Sequence, residues 1–289
     1  MFKGVAYAKF DLAVSIGSKK HNDGYFPVRY IDCQLDIHDE IYLEVQEKRI
    51  DVVCDSAELS SERENFVYLT AQALKEEIGD TRLGAKIILK KNIPIKAGFG
   101  GGSSDGAATL IGLSRIWKIK LSEKLVKKLS RKLGKDFYYS VWGKFAEVIG
   151  EGKSYKIKPI DVKLPNFWLL VVVPFSEKPS TGWVYEHVEK KKVGRNSAKI
   201  EKLKTVLKTG DREGIMANLT NDFESYVPSY FPEVGRIKKD LKKAGASGAI
   251  MAGAGLSVVG FFGSKKAAEG AMRKLAGKYK RVIVTKIVN

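Results

Sequence analysis

Four glycines fall within five consecutive residues of this 289-residue chain, between Gly98 and Gly102. An alternating run at 85–89 predicts a strand before them, and the apolar spacing of 107–117 predicts a helix after them. Because glycine has no Cβ, this backbone can take positive φ and approach a ligand closely. The start of the following helix adds unsatisfied N–H groups and a positive dipole end. The order strand, glycine loop, helix therefore predicts an anion site, best suited to a phosphate.

Two better-known glycine motifs do not match this loop. A P-loop requires Lys and then Ser or Thr directly after its last glycine, and the dinucleotide-binding fingerprint requires Gly or Ala where this loop has Ser103. Ser103 and Ser104 place hydroxyl groups where they can cap the helix, bind phosphate oxygens or reach magnesium. The alternative is a glycine-rich turn that only packs a strand against a helix.

The chain carries a formal net charge of +18, from 51 Lys and Arg against 33 Asp and Glu. Such an excess suits nucleic acid, an anionic membrane or a polyanionic small substrate. Much of it lies in Lys-rich runs where apolar residues recur at helical spacing, which is typical of solvated helix faces. The aromatic residues mostly follow apolar patterns and do not alternate with basic ones, which disfavours a nucleic-acid-binding protein. That function remains the distant alternative.

Length and hydropathy predict a two-domain cytoplasmic protein. The chain is longer than one typical domain. Pro159 and Pro165 flank short polar and apolar segments, which suggests a boundary between domains 1–155 and 156–289. We expect no membrane partner and no signal peptide, because the apolar runs are too short. Cys33 and Cys54 show no spacing typical of a metal or redox site.

Two charged residues stand out in the predicted elements of the first half. Lys9 lies in a predicted strand at 4–16 and shares a face with Asp11. Asp136 follows a predicted helix at 122–133, capped by Ser122, and the dipole at that helix end disfavours a carboxylate. From the residues alone, Lys9 is either an edge charge or a functional group, and Asp136 is either a turn residue or a functional one. Strands are predicted at 28–35, 40–45 and 141–148.

The last third of the chain predicts an α+β half. A helix is predicted at 212–216 and onward past Phe223, and another at 232–244. A strand, a second glycine loop at 252–255, a strand, a helix and a strand then follow in order. With the helix before it, this order is consistent with a ferredoxin-like arrangement.

The N-terminal lysine, the Pro-x-x-x-Gly-Phe-Gly-Gly-Gly-Ser-Ser-Asp loop and the late Gly-Ala-Gly loop together resemble the GHMP kinase superfamily, small-molecule kinases without a P-loop. The resemblance implies a two-domain α+β fold, with a ribosomal-protein-S5-like α/β domain followed by a ferredoxin-like α+β domain. It also implies an enzyme that uses ATP and Mg²⁺ to phosphorylate an alcohol. As partners we expect a small-molecule substrate, no nucleic acid and no membrane, in a monomer or homodimer.

Within that superfamily the motifs are most similar to one branch. The steps Ala8-Lys9-Phe10-Asp11-Leu12 and Asp23-Gly24-Tyr25-Phe26, with the triple-glycine loop, resemble the kinases of 4-diphosphocytidyl-2-C-methyl-D-erythritol in non-mevalonate isoprenoid biosynthesis. The implied reaction is ATP-dependent phosphorylation of the 2-hydroxyl of that substrate.

The resemblance also implies roles for individual residues. Asp136 would take the proton of the substrate hydroxyl. Lys9 would orient the Asp136 carboxylate and stabilise charge at the reacting oxygen. The residues implied at the ATP site, with Ser104 also at magnesium, are Asn65, Pro94, Gly98, Gly100, Gly101, Gly102, Ser103 and Ser104. The residues implied at the phosphate acceptor are Asp11, Tyr25, Phe26, Tyr185, Gly253 and Gly255.

Several residues depart from the pattern of this branch, among them three single substitutions. Phe26 stands where a His is expected, Asp11 where an Asn is expected, and Lys135 where a small residue is expected beside Asp136. Phe26 and Asp11 favour an alternative, a kinase of the same fold that acts on another small alcohol, such as mevalonate, homoserine or a sugar.

Overall fold

The computed structural model describes residues 1–59, 65–152 and 154–288, which form two compact units. Each unit draws on separate stretches of the chain. Unit 1 comprises Met1–Lys9, Ile37–Ile95 and Gly100–Gly143, and unit 2 comprises Phe10–Asp36, Lys96–Phe99 and Lys144–Asn289. The division of the sequence at residue 155 stays a prediction. None of the helices within the described ranges is long and apolar enough to cross a membrane.

Unit 1 packs helices on strands. Its strands are the first part of β1 (Phe2–Ile16), the second part of β2 (Val28–Glu47), β3 (Ile50–Cys54) and β4 (Leu83–Lys90). Its helices are α1 (Phe66–Ile78), α2 (Gly101–Ile116), α3 (Glu123–Leu133) and α4 (Lys135–Trp142), with a 3₁₀ turn at Ala57–Leu59. Strand β4 lies antiparallel to β2 and parallel to β3. Helix α2 packs against α1 and α4, so the glycine-loop helix is central to this unit.

Helix α2 begins six residues before the predicted start at 107. Gly100 precedes it in the left-handed conformation, with φ of 61°. Gly106 lies where α1 passes, since a Cβ on it would be 2.6 Å from the Thr70 hydroxyl oxygen. Close helix packing thus holds a segment that is rich in weak helix formers.

Helix α4 is the main correction in unit 1. The strand predicted at 141–148 is wrong at its start, because α4 continues to Trp142 and strand β5 (Ala146–Glu151) begins later. The aromatic run Phe137, Tyr138 and Tyr139 favours a strand locally, but all three side chains are buried and hold the segment in a helix. By contrast, Ser122 caps α3 as predicted, accepting the N–H of Leu125.

Unit 2 contains two groups of strands. In the first group, β2 pairs antiparallel with β5 and with β12 (Ile287–Val288), β5 pairs with β6 (Ser154–Pro159), and β1 pairs parallel with β8 (Thr220–Asn221). The second group is a four-stranded antiparallel sheet in the order β11 (Arg281–Thr285), β7 (Trp168–Val173), β10 (Val258–Phe262) and β9 (Gly248–Met251).

The four-stranded sheet confirms the ferredoxin-like prediction for the last part of the chain. Numbered along the chain, its strands lie in the order 4-1-3-2, and helices connect the first to the second and the third to the fourth. The helices of unit 2 are α5 (Thr181–Glu186), α6 (Ser197–Thr209), α7 (Arg212–Asn218), α8 (Val227–Tyr230), α9 (Pro232–Lys243) and α10 (Lys265–Leu275), with a 3₁₀ turn at Asp222–Ser225.

Two further predictions are corrected. The strands predicted at 28–35 and 40–45 are one strand, β2, because the polar residues between them keep the alternation of a strand and the buried Asp39 accepts the backbone N–H groups of Asn92 and Ile93. The helix predicted past Phe223 ends at Asn218, and the chain then enters β8. There the Asn221 side chain accepts the N–H of Phe223 and starts a 3₁₀ turn.

Candidate active site

The glycine loop enters α2 against three side chains of unit 1. A Cβ on Gly100 would lie 3.3 Å from Cβ of Lys9, and one on Gly102 would lie 3.1 Å from the ring of Phe66. A Cβ on Gly101 would lie 3.2 Å from the Ile93 side chain. The glycines therefore let β1, α1 and the loop approach the start of α2 closely. The first N–H groups of α2 have no partner within the helix, which is the arrangement that binds anions.

The two serines lie inside the first turn of α2. Ser104 is buried, and its hydroxyl lies 3.3 Å from the hydroxyl of Ser140 on α4. Ser103 is half-buried, and Pro94 is half-buried in the turn before the loop. In the described part of the chain, no group of three or more His, Cys, Asp or Glu side chains is placed to hold a metal ion.

Lys9 and Asp136 lie together in unit 1. Asp136 follows the C-terminus of α3, as the sequence predicts, but it is also the second residue of α4, at a helix end where the dipole favours a carboxylate. The Lys9 ammonium is 3.8 Å from Oδ1 of Asp136, and the Lys135 ammonium is 2.7 Å from the same oxygen. Burial opposes ionisation of Asp136, but the charges of Lys135 and Lys9 outweigh it and hold the pKa of Asp136 below its ordinary value.

Asn65 caps helix α1 and keeps half of its amide for another partner. Its Oδ1 accepts the N–H of Val67 at 3.1 Å. Its Nδ2 is buried and has no hydrogen-bond partner among the residues that the structure describes. A buried donor without a partner is costly, so this amide is suited to a ligand.

In unit 2 the two glycine loops pack backbone against backbone. Gly98 has φ of 99°, and a Cβ on it would lie 2.2 Å from the carbonyl oxygen of Ala252. A Cβ on Gly255 would lie 2.3 Å from the carbonyl oxygen of Ala97. Gly98 and Gly255 are therefore required by loop packing, whatever they bind. The resemblance to a kinase family implied only ligand-binding roles for these two glycines.

Asp11 lies beside the late glycine loop. It is fully buried on β1, and a Cβ on Gly253 would lie 2.7 Å from its Oδ2. Gly253 itself has φ of 51°, in the left-handed region. The predicted acceptor residues Asp11, Gly253 and Gly255 thus come from two stretches of unit 2 that the fold brings together.

The three predicted aromatic residues differ in exposure. Tyr25 is half-exposed and lies in a turn. The N–H of His21 donates a hydrogen bond to the carbonyl oxygen of Tyr25 and closes this turn. Phe26 is buried, with the Lys20 ammonium 5.1 Å from its ring centroid. Tyr185 lies on α5, where its hydroxyl hydrogen-bonds that of Tyr30 at 2.5 Å.

Asn221 supports the late glycine loop and was not predicted. Its amide Nδ2 donates to the carbonyl oxygens of Met251 at 2.9 Å and Gly253 at 2.8 Å. The carboxylate of Glu224 accepts the N–H of Met251 at 2.6 Å. No local signal marks Asn221, because its partners lie thirty residues along the chain.

Replacing Asn221 with Ala is expected to lower the free energy of unfolding by about 1–3 kcal/mol, because buried carbonyl groups lose their donors. Urea unfolding of the variant and the wild type measures this difference. Asn218→Ala is the matched control, since that amide, half-buried near the end of α7, donates to a carbonyl within its own helix. Equal stability of the Asn221 and Asn218 variants would contradict the supporting role.

Comparison with known families gives two matches, one in each half of the chain. Residues 65–144 match the GHMP kinases N terminal domain, and residues 201–281 match the GHMP kinases C terminal domain. The first match contains the glycine loop and Asp136, and the second contains the late glycine loop.

Two relatives carry the same name. The chain is 34% identical over 283 residues to the 4-diphosphocytidyl-2-C-methyl-D-erythritol kinase of Caldicellulosiruptor bescii, covering 97% of this chain and 96% of that protein. It is 33% identical to the enzyme of the same name from Thermodesulfovibrio yellowstonii, over 97% of this chain and 96% of that one.

Solved structures show the same fold. A crystal structure of 4-(cytidine 5'-diphospho)-2C-methyl-D-erythritol kinase superposes with a TM-score of 0.83 at 25% identity, covering 100% of both chains. The L. major mevalonate kinase in complex with R-mevalonate superposes with a TM-score of 0.77 at 15% identity, covering 99% of this chain and 96% of that one. At that identity the second likeness shows the fold alone.

Proposed function

The chain belongs to the GHMP kinases, and on this premise we propose that it transfers the γ-phosphoryl group of ATP to the 2-hydroxyl of 4-diphosphocytidyl-2-C-methyl-D-erythritol. The observation that carries the proposal is the Lys9–Asp136 pair, 3.8 Å apart, with Lys9 packed against Gly100 at the start of α2. A lysine, a carboxylate and a phosphate-binding helix start are the groups that phosphoryl transfer to an alcohol requires.

ATP would be held mainly in unit 1. The N–H groups of Gly101, Gly102 and Ser103 would bind phosphate oxygens, as would the hydroxyls of Ser103 and Ser104. The buried Nδ2 of Asn65 would donate to the adenosine. Pro94 would fix the turn that leads into the loop.

Magnesium fits this arrangement as an ion held largely by phosphates. Mg²⁺ prefers oxygen ligands, keeps several waters and is often bound through substrate phosphates. The hydroxyl of Ser104, buried in the first turn of α2, is the protein oxygen that we assign to it. When bound, the ion would offset charge on the phosphate oxygens.

Asp136 and Lys9 would act directly on the reaction. The Asp136 carboxylate would accept the hydroxyl proton of the acceptor as its oxygen bonds to the γ-phosphorus and ADP leaves. Lys9 would orient that carboxylate and stabilise negative charge at the reacting oxygen. Because the transition state is loose, positioning and charge stabilisation contribute most of the rate.

The residues that we propose for the acceptor all belong to unit 2. Tyr25 and Tyr185 offer aromatic faces for a nucleobase, with Phe26 as an apolar wall in place of a hydrogen-bonding ring. Asp11, Gly253 and Gly255 would line the polar part of the acceptor. Relatives at 33–34% identity over 97% of the chain support this substrate over mevalonate, homoserine or a sugar. The expectations of a cytoplasmic monomer or homodimer without a nucleic-acid partner stay predictions.

The test is a magnesium-dependent ADP-release assay with ATP and 4-diphosphocytidyl-2-C-methyl-D-erythritol, run beside mevalonate and homoserine. We expect turnover with the cytidylyl substrate, and none with the other two alcohols. Phosphorus NMR of the product would place the new phosphate on the 2-hydroxyl. Turnover with mevalonate or homoserine alone would overturn the proposed substrate and leave the family unchanged.

A further inference from the structure

Two lysines contact a single oxygen of the Asp136 carboxylate. The ammonium of Lys135 lies 2.7 Å from Oδ1, and that of Lys9 lies 3.8 Å from the same atom. Lys135, which replaces the small residue expected there, makes the shorter of the two contacts. The carboxylate is thereby fixed through Oδ1.

The position of Lys135 is not that of an ordinary surface ion pair. It is the first residue of α4, where the helix dipole disfavours a cation. Its side chain is 20% exposed, whereas Lys128 and Lys132 on neighbouring α3, which pair with Glu77 and Glu76, are 58% and 60% exposed. The fold therefore holds this ammonium at the carboxylate against its local preference.

We propose that Lys135 is a positioning residue for Asp136, which holds Oδ1 jointly with Lys9 and leaves Oδ2 to accept the proton of the substrate hydroxyl. The inference rests on the proposed function, in which Asp136 is the base. The proton passes from the hydroxyl to Oδ2, the hydroxyl oxygen bonds to the γ-phosphorus, and the bond from that phosphorus to the departing ADP oxygen breaks. After product release the proton leaves Asp136 for solvent.

A second cation also changes the acid strength of Asp136. A carboxylate beside two ammonium groups stays ionised to lower pH than one beside a single ammonium. Burial opposes that ionisation, and the charged groups that face Asp136 and outweigh burial are Lys135 and Lys9. Removing Lys135 should raise the pKa of Asp136, so that protonation disables the base at a higher pH.

The test compares Lys135→Met and Lys135→Arg with the wild type. Lys132→Met is the matched control, because it removes an exposed lysine whose partner is a different carboxylate. Two quantities are measured: the pH dependence of kcat, with KM for ATP, and the ¹³C titration of the Asp136 carboxyl, assigned by its loss in Asp136→Asn. Lys135→Gln replaces Lys135→Met if circular dichroism shows that the Met variant is unfolded.

We expect Lys135→Met to shift the Asp136 titration and the acid limb of kcat to higher pH, with KM for ATP little changed. We expect Lys135→Arg to restore both, and Lys132→Met to match the wild type. A Lys135→Met titration and pH profile equal to the wild type would overturn the proposal. A shifted titration with an unchanged kcat profile would also overturn it, because the contact would then be only structural.

Failure of the proposed function would look different. In that case the wild type would not turn over the cytidylyl substrate, or Asp136→Asn would keep full activity. The carboxyl titration needs no turnover, so it still reports whether Lys135 acts on Asp136.

Discussion

Replacing Asp136 with Asn should lower kcat by about 10²–10⁴-fold, the usual contribution of a positioned general base. Asn keeps the size of the side chain and its place at the start of α4, but it cannot take a proton. The ATP site loses none of its proposed contacts, so KM for ATP should change little. Steady-state ADP release with both substrates saturating measures the effect. Asp80→Asn is the control, because Asp80 pairs with Arg82 in an exposed turn.

Full turnover by a folded Asp136→Asn variant would rule out its role as the base. The pH dependence gives a second check. The pKa of Asp136 is held below its ordinary value of about 3.9, so its ionised form should persist as pH falls to that value. The corresponding contribution to stability is present above the ordinary pKa and is lost as pH falls through the lowered one. The Asn variant should lack that loss.

The local sequence predicts the glycine loop well and the residues around it poorly. Glycines, serines and the following apolar spacing are contiguous, so an anion-binding helix start could be predicted from them. The pairing of Lys9 with Asp136 joins residues 127 positions apart, and only the resemblance to a family implied it. The Lys135 contact needed the backbone of α4, a helix that the sequence did not predict.

Other contacts at the site also depend on tertiary structure. Asn221 supports a loop thirty residues away along the chain. The Nδ2 group of Asn65 becomes buried, with no hydrogen-bond partner among the described residues, only when α1 packs in the folded protein. Gly98 and Gly255 illustrate the same limit, because both fit a ligand-binding pattern while the structure also requires them for loop packing. Residue types therefore indicated which side chains could bind a ligand or react. Contacts between residues far apart in the sequence could not be predicted from it.

A buried charge network that the sequence does not predict lies beneath the glycine loop in unit 1. Lys91, directly after β4, bridges the carboxylate of Asp39 on β2 and that of Asp105 on α2, which lies 2.7 Å from its ammonium. All three side chains are buried. Asp39 also accepts the N–H of Ile93 at 2.7 Å. The network ties the entry of the glycine loop to the first part of α2.

Replacing Lys91 with Met should therefore lower the free energy of unfolding by about 3–5 kcal/mol, because the buried carboxyl groups of Asp39 and Asp105 lose the ammonium group that pairs with both. Lys90→Met is the matched control, since Lys90 is the exposed neighbour on β4. Urea unfolding, followed by circular dichroism, gives both values. A loss no larger than that of the control would show that the network does not stabilise the fold.

Asp105 provides the decisive comparison within this network. Burial raises the pKa of Asp105 well above its ordinary value. The charge of Lys91 lowers this pKa by less than burial raises it, and the charge of Asp39 raises it further. The folded protein therefore binds this proton more tightly than the unfolded chain, and stability should fall as pH rises from about 3.9 toward the raised pKa. Asp105→Asn should remove that slope.

The double variant Lys91→Met with Asp105→Asn tests whether the two residues act together. One buried carboxyl group then remains without the Lys91 ammonium instead of two. The double variant should therefore lose about 0.5–3 kcal/mol less stability than the two single variants lose in sum. Strict additivity would mean that Lys91 and Asp105 do not act together, and that the start of α2 is held by packing alone.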